Sequence, residues 1–511
     1  MLFKSNLLLP VLVSSAAAAP SSHKHTAAVN TTTCNGETYV YEELAGYGFL
    51  PPNDRDKYGD TLGGLGSSLA VDKSSWKKVG QNYQGVAYAL PDRGWNTNGT
   101  INFQNRIQKI SITLNVEEPT LKRPCGPNLD MKYLDTILLA DFEGTPTTGL
   151  DPDITGPYKH FSEVPFALPS ANYTGNGFGG PGNGGNRVTL DPEGLFLGAD
   201  GSFRVSDEYG PYIYQFDSKG KMINAIQPPN AILPRRHKKV SFSADSPPIY
   251  NPDLEPSPEE NPTGRNNNQG FEGLTTNPEG TKLYVLLQSA TNQDGGLETE
   301  RNTRFLVYDI STPTPSYEAE YVVHLPLVDP SDEDSDVARQ SEIHYISPTQ
   351  FLILARDSDA GAGQDETESL YRHVDVIDIS SATNVKGKEH DCSTCQIASR
   401  EGVLRKDIEP AEYCSWLDFN VNSQLRRFGV HNGGAQNKGL LNEKWESMAL
   451  LPAEGEDEYY LISFSDNDFI NQDGYMNFGK FEYQDESGFD LLNQALVFKV
   501  KLPKGTEPLV G

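Results

Sequence analysis

Beyond its first residues, the chain has no apolar run near the roughly 20 residues that a membrane-spanning helix requires. Positive charge is also scarce: 42 Lys and Arg stand against 70 Asp and Glu, a formal charge of −28 over 511 residues. A surface of that sign repels nucleic acid and anionic membranes and attracts cations. A polyanionic substrate would need local basic side chains or a bound metal to dock. Cysteines number five, Cys34, Cys125, Cys392, Cys395 and Cys414, enough for two disulfides and one leftover thiol, with the pairing open. "CSTC" at 392–395 has neither a second CxxC nor a βαβ context, so it reads as a local structural disulfide rather than a redox or zinc site. There is no nucleophile elbow and no Ser/His/Asp set of suggestive spacing. His324, His344, His373 and His431 lack metal-ligand spacing and read as structural. No segment carries a convincing helix period.

What the chain does have is an export signal and many strands. "MLFKSNLLLPVLVSSAAAAPSS" combines Lys4, an apolar stretch and an Ala-rich exit, and reads as a secretory signal peptide over 1–19. Three N-glycosylation sequons, at Asn30, Asn98 and Asn172, agree with export. The expected product is secreted and monomeric, with no nucleic-acid or membrane partner. Abundant Gly (47) and Pro (35), with aromatics that are mostly Tyr and Phe, favour short strands and many turns.

Internal repetition points to the fold. "DPEGLFLGADGSFRVSDEYGPYIYQFDSKG" (191–220), "GFEGLTTNPEGTKLYVLLQSA" (270–290), "SEIHYISPTQFLILARDSD" (341–359) and "WESMALLPAEGEDEYYLISFSDND" (445–468) share one layout. A Glu precedes an apolar run, a Gly or Pro turn, a second apolar run and a polar cluster. A weaker copy begins "GSSLAVD" at 66, with Ser67 where the Glu would stand, and returns through "GVAYALPDRG". Further strand signals follow three of the copies, so each unit reads as four strands. Radial repetition of such units is a β-propeller, here of six or seven blades. Residues 20–59 supply an early strand, 60–503 the propeller and 504–511 a tail, with "NQALVFKVKLP" (493–503) completing a blade beside "TYVYEEL" (38–44). The Gly/Asn-rich stretch 174–186 and the Pro-rich stretch 244–270 read as loops overhanging one face as a lid.

The carboxylates recur in register. A two-residue turn at Asp200-Gly201 sets Glu193 opposite Glu208. Turns near 279, 348 and 455 likewise bring Glu272 beside Gln288, Glu342 beside Arg356-Asp357, and Glu446 beside Asp466-Asn467-Asp468. In a propeller these ends converge on one mouth of the central channel. Taken singly, each Glu reads as a turn cap or a partner for Arg or backbone amides; recurrence in four units reads as a site. Gathered carboxylates repel unless protonated or bound to a cation, and an oxygen-rich cluster suits calcium or another hard divalent ion. Arg265 beside "NNNQGFEG" and Lys444 before Glu446 are candidate phosphate contacts, whereas "PRRHKKV" (234–240) reads as a solvated charged loop.

These same stretches resemble the phytase-like family, described as having esterase-like activity of phytase, over roughly residues 60–500. The resemblance implies a propeller and phosphoric-ester hydrolysis, with a divalent metal such as calcium as cofactor and a small phosphorylated ester as substrate. Carried over residue by residue, it implies Glu193, Glu208, Glu272, Glu342 and Glu446 as catalytic carboxylates. Asp92, Asp207, Asp466 and Asp468 join them as metal ligands, and Arg93, Arg265, Arg356 and Lys444 as substrate contacts. Ser67 departs from the Glu pattern. Two other functions compete: a lactonase-like propeller hydrolase, with one metal and no basic rim, and a non-catalytic extracellular scaffold whose mouth holds a structural ion.

Overall fold

The computed structural model describes residues 27–332 and 335–511; the signal-peptide segment lies outside them. Nearly every element is a strand. The described helices are one turn at Asn422–Leu425 and two 3-10 turns, as expected for a chain broken so often by Gly and Pro. No described helix is long and apolar enough to cross a membrane.

Among the described residues, the main strands form five antiparallel four-stranded units, where the sequence suggested six or seven. Three are separate sheets: the second unit starts at Pro192–Leu197, the third at Phe271–Thr276 and the fourth at Arg339–Tyr345. A ten-stranded sheet supplies the other two. Its first arm runs from Ser68–Val71 through Asn82–Leu90 and Arg106–Leu114 to Leu129–Leu138. Its second arm, the fifth unit, joins Ala449–Pro452, Glu458–Phe464 and Asn493–Lys501 to the early strand Glu37–Leu50. Among the described residues the ladder between the arms consists of the parallel pair Gly48↔Leu129. A Cβ on Gly48 would lie 2.2 Å from the Leu129 carbonyl oxygen, so only glycine permits that approach.

Apolar side chains close these units into a ring. Ile107 and Leu90 of the first unit pack with Leu195 and Val205 of the second. Ile213 meets Phe271 and Leu274 of the third, and Phe305 meets Ile343 and Phe351 of the fourth. Leu354 and Trp416 pack on Leu450 and Phe498 of the fifth, and Leu451 and Val497 return to Leu69 and Ile110 of the first. The inner strands are thus covered on both faces by neighbouring units, which is why Phe271–Thr276 is buried at every position rather than alternately. Each Leu, Ile or Phe so covered contributes about 1.5–3 kcal/mol. Disulfides join Cys34 to Cys414 and Cys392 to Cys395, and Cys125 carries the leftover thiol. The three sequon asparagines are exposed.

Where the innermost strands carry their Glu, the ladder breaks. Register shifts lie between Pro192 and Leu195, Phe271 and Leu274, and Gln340 and Glu342. Such bulges re-aim side chains and bend the strand. Glycine follows the Glu in two of them because the next unit is too close for a Cβ. One on Gly194 would sit 2.5 Å from the Glu272 carbonyl oxygen, and one on Gly273 would sit 2.7 Å from Ile343 N.

Candidate functional site

At the Glu-bearing ends of the inner strands lies a polar cavity of about 280 Å³. Six carboxylates line it: Asp92, Asp191, Glu193, Glu208, Glu272 and Glu446. Four bases line it as well: Arg93, Arg339, Arg356 and Lys444. Asn267, Asn268 and Gln269, from the end of the Pro-rich segment, supply amides to its wall. The Gly/Asn-rich stretch 174–186 does not reach this cavity, so the two segments do not share the lid position expected for them.

Glu193, Glu208 and Asp191 converge, with one carboxylate oxygen from each lying within 4.8 Å of the others. The bulge at Glu193 produces this meeting. The hairpin pairs Leu195 with Val205 and Pro192 with Asp207, a register displaced from the simple turn arithmetic. Asp207 lies behind the group and outside the cavity lining, accepting hydrogen bonds from the Asp191 and Gly210 backbone amides at 2.7 and 3.1 Å. It therefore holds the Asp191 backbone rather than facing the cavity. Asp191 was missed by the sequence reasoning, although "DPEG" sets it two residues before Glu193 on the same strand face.

Burial and mutual repulsion outweigh the bases around the group. Burial, then Glu272, Glu208 and Asp191, push the Glu193 carboxyl well above its usual range. Burial, then Asp191, push Glu208 up to about 8, against the pull of Arg93 and Arg265. Burial likewise raises Glu272, with Glu208 and Glu446 adding to it. Arg93 stands 3.4 Å from Asp191, yet neither Asp191 oxygen accepts a hydrogen bond of normal geometry. Glu208 Oε1 and Glu272 Oε2 are also buried without a partner, an arrangement that costs on the order of 1–3 kcal/mol per atom unless a proton or cation fills it.

A second carboxylate group, Asp92, Asp466 and Asp468, lies nearby, but each of its carboxylates has a partner. Ser67, in the place of the missing Glu, donates to Asp466 Oδ2 at 2.9 Å. The Asp92 carboxylate accepts from Gly94 N, and Lys444 Nζ lies 2.6 Å from Asp468. Burial alone would lower the Lys444 ammonium, but Asp468, Glu446 and Asp466 outweigh it and hold it high. Lys444 is the backbone partner of Asp466, whose N donates to Lys444 O, while the Glu446 charge also acts on the Asp466 carboxyl.

Other expected neighbours are rearranged. Gln288 does donate to Glu272. Arg356 does not pair with Glu342; it reaches across to the fifth unit, with Nη2 2.5 Å from Glu446 Oε1 and Nη1 donating to the Asp357 carbonyl. Glu342 lies outside the cavity lining. Its Oε1 accepts from the Leu274 and Ile343 amides at 2.9 and 3.0 Å, and its Oε2 from Ser68 Oγ at 2.6 Å. Ser68 in turn accepts from Leu195 N, so one buried carboxyl ties together four inner strands. Arg265 is also outside the lining, its guanidinium donating to the carbonyls of Tyr209, Phe242 and Asn266. The placement of both follows from the ring closing more tightly than separate hairpins would.

The fold and cavity define an all-β ring of propeller type with a charged mouth at its inner strand ends. Residues 61–469 match the phytase-like family, esterase-like activity of phytase, and the chain belongs to that family. An uncharacterized secreted protein of the fungus Arthroderma benhamiae is 54% identical over 466 residues, covering 87% of this chain and 90% of its own; the present protein is secreted as well. Among solved structures, one described as a candidate gluconolactonase is 9% identical, covering 83% of this chain and 73% of its own, with a TM-score of 0.25. An N-acetylgalactosamine deacetylase from F. plautii is 8% identical, covering 90% of this chain and 95% of its own, with a TM-score of 0.28.

Proposed function

We propose that the five units are the blades of a five-bladed propeller and that its mouth hydrolyses phosphoric esters with the help of a divalent cation, calcium foremost. The observation that carries this reading is one cavity holding both halves of the required chemistry. Oxygens of Asp191, Glu193 and Glu208 converge, with both Asp191 oxygens and Glu208 Oε1 accepting no hydrogen bond; this is the hard donor set a divalent cation prefers. Arg93, Arg356 and Lys444 line the same space, giving cationic donors suited to phosphoryl oxygens. Bound there, the cation would neutralise carboxylate repulsion and polarise a phosphoryl oxygen.

In this reading Glu272, its ionised form favoured by Arg356 and by a bound cation, would receive the proton of the attacking water through its unpartnered Oε2. A carboxyl kept protonated by burial returns a proton to the departing alcohol. The P–O bond to the alcohol breaks as the bond to the water oxygen forms, giving alcohol and phosphate. The lactonase-like alternative is less favoured because it expects no basic rim. The scaffold alternative draws on the pairing of Arg356 with Glu446 and of Lys444 with Asp468.

The test is phosphate release from phytate and an aryl phosphate by the purified protein, with calcium and with chelator. Glu193→Gln and Glu272→Gln are expected to lose cation-dependent release while remaining folded. No release from the wild-type protein, with thermal stability still raised by calcium, supports the scaffold instead.

A further inference from the structure

A second cavity of about 250 Å³ shares no lining residue with the first. Two aromatic rings, Tyr173 and Phe478, line it together with the amides of Asn102, Gln104, Asn176 and Asn477. We propose that this cavity binds a neutral saccharide. A pyranose presents C–H groups on its faces, which suit aromatic rings, and hydroxyls on its edge, each both donor and acceptor. Carboxamides match such hydroxyls because each carries both functions. Asn102, Asn176 and Gln104 are partly engaged by protein groups. The lining amides of Asn183 and Asn477 are left for the ligand, in a mostly formed pocket of the kind usual for a small ligand.

The charges lining the cavity argue against the other small ligands. Arg106 is held between Asp56 and Asp60, at 2.6 and 2.8 Å, so it has little charge left for an anion. Arg187 makes no salt bridge to a carboxylate among the described residues; it donates to Asn102 Oδ1 at 3.1 Å and lies over the Tyr173 ring at 5.4 Å. One cation whose fork is partly used suits vicinal hydroxyls better than a phosphate. Among the lining residues Asp60 is the one carboxylate, which is too few oxygens for a metal.

The walls are preorganised. The stretch 174–186, expected to be an overhanging loop, folds tightly on itself, with Gly184 N donating to Gly175 O at 2.9 Å and Asn176 Oδ1 accepting from the Phe178 and Gly180 amides. A Cβ on Gly175 would lie 2.1 Å from the Gly180 carbonyl oxygen, and one on Gly182 would lie 2.4 Å from that of Gly175. Asn102 is fixed by donating to Asn176 O at 3.0 Å. Little ordering is left for a ligand to impose.

The experiment titrates the purified protein with the methyl glycosides of glucose, mannose, galactose and N-acetylglucosamine, using calorimetry and saturation-transfer NMR. Inorganic phosphate and glucuronate serve as anionic comparators. At least one neutral glycoside is expected to bind saturably, with roughly tenfold weaker binding in Arg187→Met and in Asn477→Ala, and unchanged binding in Glu193→Gln. Melting curves check that the variants are folded, and Asn477 at the rim serves if the Arg187 variant is not. Three results would overturn the proposal: no glycoside binds, binding survives both substitutions, or only the anions bind.

Discussion

Replacing Glu342 separates a structural carboxyl from a catalytic one. In Glu342→Ala, Ser68 Oγ and the Leu274 and Ile343 amides lose their acceptor at once. All three residues are buried, so water cannot readily replace it. Stranding a buried donor costs roughly 1–2 kcal/mol, which gives about 3–6 kcal/mol before the small cavity left by the side chain is counted. For a chain this large, with an unfolding entropy of about 1 kcal/mol per K, that is a fall in Tm of about 3–6 °C. Glu342→Gln should cost only about 1 kcal/mol, because its amide oxygen can serve both backbone amides while its NH2 turns to the Ser68 oxygen. Calorimetric melts of the three proteins, with phosphate release measured on the folded fraction, make the comparison. A Tm for Glu342→Ala within a degree or two of the wild type would refute the network argument. So would a Glu342→Gln protein that melts normally but has lost activity, since that would put Glu342 in the chemistry.

Two further outcomes are expected. Because burial lifts Glu208 from 4.5 to about 8, its ionisation opposes folding. The stability tied to its proton is complete below about pH 4.5 and is lost as pH rises through 8, by about 5 kcal/mol at most. In chelator, Tm should therefore fall from pH 5 to pH 8, and calcium should restore it at pH 8 far more than at pH 5; a Tm in chelator that is flat or rising over that range contradicts this. Arg265→Lys should destabilise the protein by about 2–4 kcal/mol, through lost forked bonds to three carbonyls, and leave KM for an aryl phosphate unchanged. Arg356→Lys should raise that KM several-fold, and the opposite pattern would exchange their roles.

Much of this organisation can be read along the chain. Alternating apolar positions, turn glycines and a Glu near the head of four of the five inner strands are local features, and local backbone preference is enough to express them. The meeting of Glu193 with Glu208 was legible because both belong to one hairpin, and Gln288 with Glu272 for the same reason. Asp191 was visible in "DPEG" but indistinguishable from a turn aspartate.

The tertiary structure decided the rest, because the deciding contacts lie between units far apart in sequence. Whether an inner-strand Glu faces the mouth or the neighbouring unit depends on a bulge, and a shift of one residue turns a side chain to the other face. That is how Glu193 and Glu272 came to line the cavity while Glu342 became the tie among four strands. Arg356 chose Glu446 over its own hairpin, and Ser67 chose Asp466 from the far end of the chain, because closing the ring placed those partners nearer than local pairing could. By itself the sequence determined the strands, the repeat and the kind of charge at their ends. Which charges face one another was determined by how five units pack into one ring.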